Sequence, residues 1–289
     1  MPKKKRKVDK KEAYLDSNRY ILGNAPIQSA LKFRIEEAYR TIRANIMFSV
    51  MKKGCKRIVI SSSNPSEGKT TTTVNLAVTI AQTDQRVLLI DGDLRKPRVH
   101  HYFSVPNSPG LTNYLGDSVS GKKKVDLFSV IHPTEFENLS VLCSGSIPPN
   151  PAELLGSELM ADFLDEVSKD YDYIIIDTPP INVVSDALPL IRESDGVVLI
   201  VRQNHTTHPE LQKALASLDF IDAKVLGFVV NFVETKATNT FGAFGKYKPN
   251  RYSRYTDPYG AYGAYGVYGG YGTYGSYSSF KKHPEDPRN

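Results

Sequence analysis

The sequence predicts an α/β architecture: a mostly parallel β-sheet covered by helices on both faces, then a disordered tyrosine- and glycine-rich C-terminal tail. Three observations predict it. Short apolar runs alternate with helical patterns from about residue 56 to 232, as parallel strands joined by crossover helices do. Three of these runs empty into polar positions: Ile58-Val59-Ile60 into a small-residue loop, and Val87–Ile90 and Tyr173–Ile176 into aspartates. Ligand sites of open α/β sheets lie at such strand ends. Beyond Phe232 the apolar pattern stops and tyrosine takes over.

In chain order, residues 12–28 lack periodicity and read as an extended arm. From Ser29, an N-cap candidate, Ala30, Phe33, Ala38, Ile42, Ile46 and Met47 recur roughly at helical spacing. Glu37, Arg40 and Arg43 sit at i, i+3 and i+6 and so share one side of this helix. That side reads either as a solvated face with weak internal ion pairs or as an intersubunit surface. Arg57–Ser63 is the first strand and Lys69–Thr83 the helix after it. Arg86–Ile90 is a buried strand. Residues 98–137 read as irregular, with a short helix near Leu111–Leu115. Leu139–Cys143 is another strand; a turn-rich loop at 145–151 leads into one helix over Ala152–Ser168. Tyr173–Ile176, Gly196–Val201 and Val225–Phe232 complete the strands, with helices at Asp186–Ile191 and Pro209–Leu218.

Whole-chain numbers exclude several classes. The 289 residues hold one large domain or two small ones, with 40% hydrophobic and 24% charged residues, ordinary for a soluble α/β protein. No apolar run approaches the roughly 18–20 residues of a membrane span, and Met1–Asp9 has no signal-peptide core. Cys55 and Cys143 lie far apart without metal-ligand spacing. A cytoplasmic chain that meets a membrane only through a partner is the expectation. The net charge of +6 is uneven, with Lys3, Lys4, Lys5, Arg6, Lys7, Lys10 and Lys11 crowded at the start. Residues 1–28 read as a basic, flexible leader outside the fold. Pro2–Val8 resembles a short nuclear-import signal used as a fusion tag. Such a leader would also favour an anionic membrane face by about 1 kcal/mol per basic residue.

The chemistry centres on Ser61-Ser62-Ser63-Asn64-Pro65-Ser66-Glu67-Gly68-Lys69-Thr70, which has the layout of a phosphate-binding P-loop. Backbone N–H groups wrapped round a helix N-terminus point at an anion, and the helix dipole adds to their field. Ser66, Glu67, Gly68, Lys69, Thr70 and Thr71 are the candidate ATP-binding residues. Lys69 would reach the β- and γ-phosphates and the Thr70 hydroxyl a Mg²⁺ ion. Ser63 stands where the motif's first glycine is usual. Asp177, after four apolar positions, has the setting of a Walker B aspartate that supports Mg²⁺. Asp91 and Asp93 lie two apart on another strand tip. One aspartate after a strand is most often a structural cap. Two such strand ends with Gly-Lys-Thr, in this order on one sheet, select a nucleotide-binding P-loop NTPase fold.

These residues carry a family resemblance. The chain resembles the bacterial tyrosine kinases that regulate capsular and extracellular polysaccharide synthesis, and is similar to their separate cytoplasmic subunit in Gram-positive bacteria. The resemblance rests on Glu37-Ala38-Tyr39-Arg40-Thr41-Ile42-Arg43, the P-loop, Asp91-Gly92-Asp93-Leu94-Arg95-Lys96-Pro97, Pro148-Pro149-Asn150-Pro151-Ala152-Glu153-Leu154-Leu155, Asp177-Thr178-Pro179-Pro180 and the terminal tyrosines. It covers about residues 29–277 and implies, after the basic leader over 1–28, a P-loop kinase domain over 29–240 and a tail over 241–289. It also implies catalytic roles for Lys69, Asp91, Asp93 and Asp177, with Thr70, Asp91 and Asp177 at Mg²⁺. Either Asp91 or Asp93 would accept the proton of the incoming tyrosine. Arg95 would pair with phosphate or an aspartate, or be a surface residue. Asn231 would recognise the adenine edge or cap a turn. Glu37, Arg40 and Arg43 match the motif through which family members assemble into rings. A membrane-embedded activator or chain-length regulator with a cytosolic tail, and a cognate tyrosine phosphatase, are the implied partners.

The tail supplies acceptors. Tyr259, Tyr262, Tyr265, Tyr268, Tyr271, Tyr274 and Tyr277 recur every third residue, in a composition too poor in aliphatics to offset its ordering entropy. Phe232 to Tyr268 spans about 30–36 Å as a flexible coil, enough to reach its own site or a neighbour's. Each phosphate would add about −1.5 to −2 of charge, so heavy modification should favour disassembly of a ring. Two other classes compete. A partitioning or division-site switch ATPase would carry a second lysine five positions before Lys69, where this chain has Asn64. A non-catalytic tyrosine-rich scaffold would not need the metal-site residues. Specific nucleic-acid binding is not expected, because the tail's basic residues lie near its two ends.

Overall fold

The computed structural model describes residues 29–120 and 126–233. The basic leader and the tyrosine-rich stretch lie outside them. A seven-stranded sheet is ordered β3-β4-β2-β5-β1-β6-β7. Its strands are β1 (Lys56–Ser62), β2 (Val87–Asp91), β3 (Ile131–Pro133), β4 (Leu139–Leu142), β5 (Tyr173–Asp177), β6 (Gly196–Arg202) and β7 (Val225–Asn231). All neighbours pair in parallel except β3 with β4. Strands β2 and β5 are buried along their whole length, as central strands covered on both faces must be.

The helices are α1 (Ser29–Ser49), α2 (Lys69–Ala81), α3 (Val99–Phe103), α4 (Leu111–Ser120), α5 (Leu127–Val130), α6 (Pro151–Leu155), α7 (Glu158–Val167), α8 (Ala187–Arg192) and α9 (His208–Asp219). Two hydrophobic layers flank the sheet. One gathers Val59, Leu88, Ile90, Ile174 and Ile176 with Leu115, Phe163, Leu164 and Leu190. The other gathers Ile58, Ile60, Leu89 and Ile175 with Leu76, Ile80, Ile46 and Val50. Alternate side chains of each central strand thus fill opposite layers.

Two expectations need correction, and the packing of α1 adds detail to a third. Residues 98–137 are not mainly irregular: they hold α3, α4, α5 and the short antiparallel β3. The helix expected over 152–168 is two helices, interrupted at Gly156-Ser157, where the Ser157 hydroxyl accepts the Met160 N–H and starts α7 afresh. Helix α1 buries Ile46 and packs Tyr39 and Ile42 inward, while Phe33 and Met47 are 36% and 40% exposed.

The order places β1, β2 and β5 side by side, with register Ile60↔Asp177 and Asp91↔Asp177. Their C-terminal ends therefore deliver the P-loop and both acidic strand tips to one place.

Candidate active site

Strand β1 runs through buried Ser61 and Ser62 into the loop that opens α2. Ser66 and Gly68 take left-handed backbone, with φ of 64° and 88°. A Cβ at Gly68 would lie 2.6 Å from Asn231 Nδ2, so only glycine lets the loop close against β7. The result is a turn of amides round the N-terminus of a 13-residue helix, suited to an anion.

Side chains brace this turn from behind. Glu67, fully buried, accepts the Asn64 N–H at 3.0 Å on Oε2 and the Thr206 hydroxyl on Oε1. Its carboxylate thus ties the loop to the β6–α9 connection. Asn231 Nδ2 donates to the Glu67 carbonyl at 3.0 Å and the Thr72 hydroxyl at 2.9 Å. Both amide hydrogens, assigned from sequence to an adenine edge or a turn, hold the P-loop instead. Arg202 Nη1 donates to the Ser66 carbonyl at 3.2 Å, and its guanidinium lies 4.3 Å from the Phe232 ring centroid. The Thr71 hydroxyl shares a 2.7 Å hydrogen bond with Tyr102 on α3.

Three acids face the helix start. Lys69 Nζ donates to Asp93 Oδ2 at 3.1 Å. The Thr70 hydroxyl donates to Asp177 Oδ2 at 2.7 Å, and that of Thr73 to Asp177 Oδ1 at 3.0 Å. Asp91 is completely buried; Oδ1 accepts the Asp93 N–H at 3.2 Å, and Oδ2 accepts those of Arg98 and Val99 at 3.0 and 2.9 Å. Burial, then the charge of Asp177, pushes the Asp91 carboxyl up to about 8. Burial raises Asp177 too, against the pull of Lys69. Burial alone would lower Lys69, but Asp177 and Asp93 outweigh it and raise its pKa, keeping the ammonium charged.

Among the described residues, no three His, Cys, Asp or Glu side chains gather as a ready-made metal cage. Magnesium does not need one, since it is commonly held by one or two carboxylates plus substrate phosphates. Thr70 and Asp177, already in contact, fit that role, with Asp91 behind them on its amides.

Two sequence-derived site residues face elsewhere. Arg95 takes the second of its expected partners, an aspartate, and is not aimed at the amide cradle; Nε and Nη2 donate to Asp186 Oδ2 and Oδ1 at 2.5 and 3.0 Å. Arg43 does not share the outward face of α1 with Glu37 and Arg40. Its Nη1 donates to the Thr79 carbonyl at 2.8 Å, whereas Arg40 pairs with Glu37 and lies 3.8 Å from Glu36. The acceptors Tyr259 to Tyr277 fall outside the described residues. Sequence reading missed Thr73, Asp186, Thr206 and Arg202. Thr73, three positions after Thr70 on a helix, was findable from spacing; the others arrive from distant segments, Arg202 from the end of β6 and Asp186 and Thr206 from connections, and leave no local signal.

Comparison with known proteins gives a consistent picture. A family model described as an AAA domain matches residues 55–225. Tyrosine-protein kinase YwqD of Bacillus subtilis (strain 168) is 42% identical over 206 residues, 71% of this chain and 84% of that protein. The kinase domain of Escherichia coli tyrosine kinase ETK aligns with a TM-score of 0.64 at 32% identity, over 74% of this chain and 80% of that one. The chimerical protein CapA2B2 aligns with a TM-score of 0.62 at 39% identity, over 67% and 83% of the two chains.

Proposed function

We propose, because this chain belongs to the bacterial tyrosine-protein kinase family, that it phosphorylates its own C-terminal tyrosines and thereby regulates capsular or extracellular polysaccharide synthesis and export. The enzyme moves the γ-phosphate of ATP to tyrosine; the acceptors, regulation and partners are the proposal. The observation that carries it is positional. The strand whose last residue, Asn231, grips the P-loop is followed in sequence by the tyrosine repeat, so Tyr259 to Tyr277 are covalently tethered to the domain that would hold the phosphates. Tethering of this kind gives a local acceptor concentration in about the millimolar range.

In this reading the amides of Ser66 to Thr71 hold the phosphates, and Lys69 moves its charge from Asp93 to the β- and γ-oxygens. Thr70 and Asp177 hold Mg²⁺, with Asp91 supporting them; the ion would neutralise charge on those oxygens. A tyrosine hydroxyl, with an ordinary pKa near 10, needs a proton acceptor at neutral pH. Asp93 is assigned that role, since one of its oxygens meets the Lys69 ammonium, which the phosphates would draw away, whereas both oxygens of Asp91 are engaged by backbone amides. Arg95 and Asn231 brace the site instead of touching ATP.

No helix among the described residues is long and apolar enough to cross a membrane. Work from the cytoplasm at the inner membrane face, through a membrane-embedded activator, accords with that. A cognate phosphatase would reset the tail, and assembly through Glu37 and Arg40 would present each tail to a neighbour. Labelled ATP with Mg²⁺ tests the proposal on wild type, Lys69→Met and a chain with the tyrosines from 247 to 277 changed to phenylalanine. Phosphotyrosine in wild type alone is expected. Free phosphate without phosphotyrosine would instead identify a switch ATPase.

A further inference from the structure

Two loops bring the acids to the P-loop: residues 92–98, which carry Asp93, and residues 178–186, which follow Asp177. They are joined at the strand ends, where the Gly92 N–H donates to the Asp177 carbonyl at 2.8 Å. The second loop is also fastened to the P-loop strand, through Ile181 N–H to the Ser62 carbonyl at 2.9 Å and Asn182 N–H to the Ser63 carbonyl at 3.2 Å. Farther along, Arg95 in the middle of the first loop and Asp186 at the end of the second form a bidentate pair at 2.5 and 3.0 Å. The Asp186 side chain is 1% exposed and that of Arg95 46%.

This asymmetry is informative. A buried carboxylate needs a partner to be tolerated at all. The guanidinium fork fixes an angle as well as a distance, which an ammonium cannot do. Arg95 lies two residues beyond Asp93, whose Oδ1 accepts the Lys96 N–H at 3.0 Å and whose Oδ2 meets Lys69. The backbone that carries Arg95 to Asp186 is therefore the backbone that aims Asp93. We propose that Asp186 is a positioning residue for phosphoryl transfer, holding the Asp93 turn in register with Lys69 through Arg95. It touches neither nucleotide nor tyrosine. The amide cradle is built from other contacts, so nucleotide binding survives loss of the pair while turnover does not. The inference rests on the placement of Lys69 and Asp93 at the phosphates proposed above.

The test uses the full chain at saturating Mg²⁺ and ATP, following phosphotyrosine formation and the KM for ATP. Asp186→Asn, Arg95→Gln, the double variant and Arg95→Lys are compared with Lys69→Met and Asp93→Asn. Each of the first two is expected to lower kcat about tenfold with KM changed less than about threefold, the double being no worse than the poorer single, as coupled residues behave. Arg95→Lys, which keeps the charge and the fold, should recover only part of the rate because it cannot fork. Unchanged kcat, independent multiplication in the double, full recovery by lysine, or an effect on KM alone would each overturn the inference. Activity retained in both Lys69→Met and Asp93→Asn would instead overturn the site assignment beneath it.

Discussion

Asn231→Ala separates the two roles open to that side chain. Its amide makes two hydrogen bonds, at 3.0 Å to the carbonyl of fully buried Glu67 and 2.9 Å to Thr72. A hydrogen bond contributes about 0.5–1.5 kcal/mol net, and a buried acceptor left unpaired costs about 1–3 kcal/mol. The substitution should therefore cost about 2 kcal/mol, which for a domain of this size lowers Tm by roughly 4–8 °C. The P-loop would also lose its tie to β7, so the affinity for every nucleoside triphosphate should fall together. Urea unfolding supplies the stability, and fluorescent analogues of ATP and GTP supply the affinities. An adenine-reading Asn231 would give the opposite pattern: intact stability and a loss confined to ATP. That pattern would refute the bracing role.

Three further outcomes are expected. The Asp91 carboxyl, raised by burial from 3.8 to about 8, must ionise as Mg²⁺ enters. Mg·ATP should thus bind more tightly at pH 8 than at pH 6 with net proton release, read by calorimetry in buffers of different ionisation enthalpy. The same raised value favours the folded state fully below pH 3.8, and that contribution is lost as pH rises through about 8, so nucleotide should rescue thermal stability more at pH 8; equal rescue at both would contradict this. Gly92→Ala would place a Cβ 2.8 Å from the Asp177 carbonyl and 3.1 Å from Leu190 Cδ1, costing about 1–3 kcal/mol by overpacking and separating the two acidic strand ends, with tyrosine phosphorylation falling in step. Arg40→Glu should change oligomer size in light scattering without lowering Tm, while Arg43→Ala, which removes a charged donor to Thr79, should lower stability by about 1–2 kcal/mol; the reverse assignment would restore Arg43 to the outer face.

Legibility followed the range of the interactions. Central strands such as Val87–Asp91 and Tyr173–Asp177 declare themselves because burial on both faces demands an unbroken apolar run. The P-loop is legible because its function depends on local backbone shape. Helix α3 was not, because it begins where Asp91, seven and eight residues earlier, accepts the N–H groups of Arg98 and Val99, a capping contact that no local N-cap residue announces. Strand β3 is three residues long and exists by pairing with β4. Within the site, Lys69, Thr70, Asp93 and Asp177 lie on motifs, but Asp186 and Thr206 act from connections whose local composition is unexceptional.

Helix α1 shows how a periodic pattern can be sound and still leave open which face turns inward. Two apolar stripes overlap on it: one through Tyr39, Ile42 and Ile46, continued past its end by Val50, another through Phe33 and Met47, joined near its end by Phe48, which is 76% exposed. Hydropathy favours neither decisively, and propensity cannot choose between faces. The choice is made by polar ends. Tyr39 is half-buried, and desolvation raises its pKa against the opposing pull of the Thr72 and Asn75 side chains of α2 beside its hydroxyl. Arg43 reaches the Thr79 carbonyl on the same helix. Phe33 and Met47 have no polar atom to offer the threonine-rich surface of α2, so turning them inward would leave those groups unpaired. The packing of α1 is thus set by polar contacts that an amphipathic count ignores, and the same contacts bring this helix to Thr72, the residue that Asn231 also grips behind the P-loop.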